Sequence, residues 1–194
     1  MKVYLICVLL SLASMVKAQV PVIISNTTEK DKTESGIYQA FNGKYDFVIA
    51  YTNPSFWRSN ILQYKILALK NNSWSYISYD FYKKGKSWSK PRIKERPFNF
   101  HKAETLIELL EQNHFWLLSR DSLNIQERRN SDGSVSKFNM YDDTNHKFEI
   151  ITTSNYVIIE AYAPEYFLEV LPEIKSRELF IKCRNIFLGA IRDR

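Results

Sequence analysis

The densest chemistry in this 194-residue chain sits in one short stretch. Residues 83–96, KKGKSWSKPRIKER, set Lys83, Lys84, Lys86, Lys90, Arg92, Lys94 and Arg96 against a single acid, Glu95. Trp88 stands among them, and Pro91 and Pro97 stiffen the far end. Clustered cations attract phosphate, sulfate or carboxylate groups, and an indole adds a surface for stacking or interfacial anchoring. The stretch therefore reads as an anion-binding loop. Its chemistry fits an anionic envelope component, such as lipid headgroups or an acidic polysaccharide, or an acidic protein surface. A solvated lysine-rich loop would have the same composition.

Other candidate chemistries are weaker. His101, His114 and His146 lack a second His or Cys at metal-ligand spacing, so the sequence implies no metal site and no cofactor. His101 and Glu104 share a helix face at i, i+3, which suits an acid/base pair or, more simply, a solvated surface. Ser119, Ser122 and Ser131 lie in polar surroundings, without the G-x-S-x-G turn that strains a nucleophile into place. Asp142 and Asp143 fall in an expected turn, where Asp is favoured for backbone reasons. Cys183 lies on the apolar stripe of an expected helix, which predicts a buried, inert thiol. No residue is assigned a catalytic role. A hydrolase built from dispersed carboxylates or His101 is the alternative, since such sites are defined in space.

The position of this chemistry depends on the first residues. Met1 and Lys2 precede an apolar run from Val3 to Leu12, and Val16-Lys17-Ala18 makes a small-residue exit. This is the pattern of a secretory signal over residues 1–18, with cleavage between Ala18 and Gln19. The expected location is periplasmic or extracellular, where nucleic acid is not an expected partner. The apolar run is too short to span a bilayer, which takes roughly 20 residues. Without Lys2 and Lys17 the chain keeps 25 basic against 21 acidic residues, and the part outside 83–96 is net acidic. The basicity is local. Cys7 leaves with the signal, so Cys183 has no intrachain partner for a disulfide. Asn26-Thr27-Thr28 and Asn71-Asn72-Ser73 match the glycosylation sequon, which matters only in a host that glycosylates.

Three segments alternate as strands do: Tyr45, Phe47, Ile49, Tyr51; then Leu62, Tyr64, Ile66, Ala68; then Trp74 to Tyr82. Asn71-Asn72 reads as the hairpin turn between the last two. Trp74, Tyr76, Tyr79, Phe81 and Tyr82 form an aromatic cluster whose first use is the core. Asn99 caps an expected helix over about 100–113, with Ala103, Leu106, Ile107 and Leu110 as its apolar stripe. A second group of strands is expected near 115–119, 123–129, 138–140, 148–152 and 156–162. A last helix over about 173–191 carries Leu179, Cys183, Ile186, Phe187 and Ala190 on one stripe. Residues 19–36 read as a flexible N-terminal segment, although Val20 to Ile24 could add an edge strand. Residues 37–194 then form a single α+β domain of antiparallel β-meanders with two main helices. The expected protein is an exported, non-enzymatic binding module with 83–96 as its contact.

Overall fold

The computed structural model describes residues 20–54, 60–84, 87–141 and 143–192. The expected signal at 1–18 lies outside them. Strands β1 (Phe47–Thr52), β2 (Ile61–Lys70), β3 (Ser73–Lys84), β4 (Ser87–Trp88), β5 (Arg92–Pro97), β8 (Asn145–Thr152) and β9 (Tyr156–Tyr162) form one antiparallel sheet. Its order is β9-β8-β1-β2-β3, with β4 and β5 both paired to the outer side of β3. The two expected groups of strands are therefore one sheet, joined where β1 pairs β8. Strands β6 (Glu127–Arg129) and β7 (Val135–Lys137) make a separate hairpin.

Central β1 is buried along its whole length, and from Phe47 to Ala50 its residues are apolar on both faces. Even-numbered and odd-numbered residues serve different cores. Phe47, Ile49 and Tyr51 face a thick layer made by α3 (Phe100–Gln112), a 3-10 turn (Phe115–Leu117) and α6 (Lys175–Arg192). Val48 and Ala50 face a thin layer in which α2 (Gly36–Phe41) contributes Ile37 and Phe41. Phe148 centres the thick side, with the rings of Tyr51, Phe115 and Phe187 at 4.8, 5.0 and 5.4 Å.

Several local features follow from residue type. Asn71 and Asn72 hold φ of +48° and +60°, which asparagine tolerates and a two-residue hairpin with matching twist requires. Asn99 accepts from Lys102 N and starts α3, whose buried residues are the four expected. In α6 the buried stripe is Phe180, Cys183, Phe187 and Ile191, so Leu179, Ile186 and Ala190 are only half-buried at its side. Before it, α5 (Pro164–Val170) starts at a proline whose missing N–H costs nothing there.

Three expectations are corrected. First, residues 115–119 are not a strand, and of 123–129 only Glu127–Arg129 is one: Ser119 caps a one-turn helix α4 (Arg120–Leu123), and Phe115, Leu118 and Leu123 reach the core together. Their apolar spacing fits turns better than period-two alternation. Phe138 and Met140 likewise lie beyond β7 and pack on α5. Second, residues 20–36 are tied to the fold. Ile23 is buried in the thick core, and α1 (Glu29–Glu34) carries a capping box in which Thr28 and Asp31 satisfy each other's backbone N–H. Val20 to Ile24 adds no strand to the sheet. Third, the basic stretch is strand rather than loop over most of its length, as the end of β3 with β4 and β5.

Candidate functional site

The pairing of β5 with β3 decides what the cations can reach. Directly opposed residues share a face, so Arg92, Lys94 and Arg96 stand with Asp80, Ser78 and Tyr76. Ile93, Glu95 and Pro97 stand on the other face with Tyr79, Ile77 and Ser75. A strand rises about 3.3 Å per residue, which spaces the three cations roughly 6.6 Å apart in a row. All six residues of β5 are exposed. The Arg96 guanidinium lies over the Tyr76 ring at 4.9 Å and that of Arg92 over Tyr82 at 5.8 Å. These rings steer the two arginines without neutralising them. Asp80 accepts from the Ser78 hydroxyl at 3.1 Å. Among the described residues, Lys83, Lys90, Arg92, Lys94 and Arg96 form no ion pair.

The remaining expected members separate. Lys83 falls on the opposite face of β3 from Tyr82, because successive strand residues alternate. Lys90 is exposed beyond β4. Lys86 and the side chains of Lys84 and Trp88 lie outside the described residues. The site that is assembled is thus the row Arg92–Lys94–Arg96, not the whole stretch.

The outer backbone of β5 is the second component. Phe98 N donates to Trp74 O at 2.8 Å, which makes 98 and 74 a hydrogen-bonded pair. In an antiparallel ladder such pairs alternate, so 96, 94 and 92 also bond to β3, while the N–H and C=O of Ile93 and Glu95 point outward. Pro97 has this same outward parity, where its missing N–H breaks no ladder bond. No described residue bonds to the outward groups of β5.

Two polar clusters that sequence reasoning passed over lie deeper. Glu149 is fully buried on the thin face and accepts from the hydroxyls of Ser35, Tyr156 (2.5 Å) and Tyr64 (3.3 Å), with Lys147 Nζ at 2.7 Å. Ser35 also accepts from Tyr38 N, so this carboxylate pins the start of α2 to the sheet. Burial, reinforced by the Glu149 charge, pushes both tyrosine hydroxyls far above their ordinary range. In the sequence, Glu149 sits between Phe148 and Ile150 and reads as a solvent-facing strand residue. Only knowing that both faces are covered would reveal it.

On the thick face, Tyr51 Oη lies 2.6 Å from His146 Nδ1, and Arg184 Nη1 lies 3.4 Å from Nε2. Arginine only donates, so Nε2 is the acceptor, Nδ1 carries the proton, and the imidazole is neutral. Burial first, then the Arg184 charge, pushes His146 down to about 4, and burial pushes Tyr51 up to about 12. Arg184 is held in turn by Glu165 at 2.5 Å. Burial raises the Glu165 carboxyl, but the hydrogen bond and charge of Arg184 carry it below the usual range. This chain of contacts joins α5 and α6 to the end of the sheet.

The other residues singled out in the sequence stay apart. Glu104 accepts from Trp74 Nε1 at 3.0 Å and is occupied in supporting the core, while His101 is exposed beside a groove between α3 and α6. Cys183 is fully buried, and burial pushes its thiol up to about 11, which leaves it unreactive at neutral pH. Among the described residues no three His, Cys, Asp or Glu side chains converge to hold a metal ion. Nor is any described helix long and apolar enough to cross a membrane. No protein-family model matches the chain, and no curated protein is significantly similar to it in sequence.

Proposed function

We propose that this chain is an exported binding module, not an enzyme, that captures an anionic partner along strand β5. The observation that carries the reading is the one-sided row Arg92, Lys94 and Arg96, exposed and unpaired among the described residues. Cations that form no ion pair among the described residues, with Asp80 opposite Arg92 as the row's one acidic cross-strand neighbour, favour an anion that brings its own charge. The strand holds them at a fixed spacing, so the ordering cost of a flexible loop is already met by the fold. Export rests on residues 1–18, and cleavage before Gln19 is the expected processing.

The test is retention on immobilised heparin and on vesicles containing anionic lipid, across a salt gradient. Wild-type chain should be retained and released by salt. The Arg92→Gln, Lys94→Gln, Arg96→Gln triple variant should elute without retention while remaining folded. Equal retention of the two proteins would remove β5 from the account. Export is tested separately: the native protein should begin at Gln19.

A further inference from the structure

A charged row explains attraction to any anion, but β5 offers more than charge. Its outward backbone is a strip of unused donors and acceptors, the N–H and C=O of Ile93 and Glu95 with the C=O of Pro97 beyond them. We infer that β5 is where an acidic, extended polypeptide segment of a partner adds antiparallel to the sheet as its next strand. This deepens the proposed function and rests on it.

Three features select this occupant. A partner strand exchanging hydrogen bonds with Ile93 and Glu95 would meet Arg92, Lys94 and Arg96 at the non-hydrogen-bonded positions. There, opposed side chains approach most closely. Acidic residues at every second position of the partner would then each face a cation, and opposite charges directly across a sheet are favourable. On the other face, Ile93 is 56% exposed and offers an apolar neighbour to the intervening residues. Glu95 on that face already accepts from Tyr45 Oη at 3.3 Å, so its charge is partly engaged.

A second copy of this chain does not fit. Two β5 strands paired antiparallel would set Arg92 against Arg96 and Lys94 against itself, and like charges directly opposed are destabilising. An acidic polysaccharide would match the charges, but its hydroxyls do not repeat in register with the backbone strip as the N–H and C=O of a strand do. A peptide strand meets both requirements, and main-chain bonding with side-chain selection is how strand addition obtains affinity and specificity.

The experiment uses a fluorescent dodecapeptide alternating Glu and Thr, titrated against the folded chain, with heparin as a charge-only probe. Two further peptides carry backbone N-methyl groups, one on the Thr residues and one on the Glu residues. The Thr N–H groups are those that would pair with β5, so the Thr-methylated peptide should bind at least tenfold more weakly. The Glu-methylated peptide should bind as the parent does. Ile93→Pro removes an outward N–H without touching the ladder to β3. It should weaken the parent peptide at least tenfold and leave heparin retention unchanged. If both methylated peptides bind like the parent, strand addition is overturned while anion capture stands. Heparin binding without peptide binding overturns it in the same way. If neither probe binds, the proposed function falls as well.

Discussion

At one end of the sheet, β9 carries its outer backbone under a cover of side chains; at the other, β5 carries its own bare among the described residues. The Asn26 amide donates to Ile158 O at 2.8 Å and accepts from Ile158 N at 2.9 Å. Ser25 and Thr27 hydroxyls donate to Tyr156 O at 2.7 and 2.8 Å. Asn124 repeats the device further along, donating to Glu160 O at 2.9 Å and accepting from Tyr162 N at 3.1 Å. An asparagine side chain has the same donor and acceptor as a peptide group, so it occupies an edge as a strand would and then ends the sheet. Among the described residues, strand β5 has no such cover and presents Arg92, Lys94 and Arg96. Charge on an edge repels copies of itself while admitting a complementary partner. Among the described residues, the sheet caps one edge with side chains and leaves the other uncapped.

The largest effects should come from dismantling the closed end. Arg177 is fully buried and donates to Leu123 O at 3.1 Å, to Phe167 O at 3.3 Å and to Ile125 O. It thus fixes the loop that presents Asn124. Arg177→Met would leave buried carbonyls unpaired and should cost about 3 kcal/mol or more in denaturant unfolding. Removing the caps themselves is milder. Asn26→Ala and Asn124→Ala should each cost about 1–2 kcal/mol. The double variant should self-associate in a concentration-dependent way, measurable by sedimentation, because it exposes an edge whose one charged residue, Glu160, is already paired with Arg120.

A smaller effect is set by pH. His146 is held at about 4 in the folded chain against an ordinary value of 6.5. The unfolded chain therefore binds more protons between those values. Its contribution to stability is complete above about pH 6.5 and is lost as pH falls toward 4. Thermal unfolding midpoints should fall through this window, and His146→Gln should make the fall shallower. At the open end, the Arg92, Lys94, Arg96 triple Gln variant should shift stability by less than about 0.5 kcal/mol. A larger loss would mean that the cations serve the fold, and the contrast between the ends would collapse.

The elements that a one-dimensional pattern can carry were readable. Alternation marked β1, β2 and β3, the Asn71-Asn72 pair marked their hairpin, and Asn99 with its apolar stripe marked α3. Patterns whose meaning depends on distant partners were not. Thr28 and Asp31 lie three residues apart within a hydrophilic run that reads as unstructured, yet they cap a helix, and Asn26 matters only because Ile158 lies beside it. Glu149 between apolar neighbours looks exposed until both sheet faces are known to be covered. For the candidate site, the charges of 83–96 were evident, but not their sorting. Only the register against Tyr76, Ser78 and Asp80 separates Arg92, Lys94 and Arg96 from Lys83. A cluster of lysines and arginines in sequence does not say which of them share a face.

The contrast between a sealed and an open edge can be read in four backbone amides by hydrogen exchange of the folded chain. Ile158 and Tyr162 give their N–H groups to Asn26 and Asn124 and should exchange slowly. Ile93 and Glu95 point theirs to solvent and should exchange close to the unprotected rate. Strong protection of Ile93 and Glu95 in the free chain, equal to that of Ile158 and Tyr162, would show that β5 is already covered and would contradict the account.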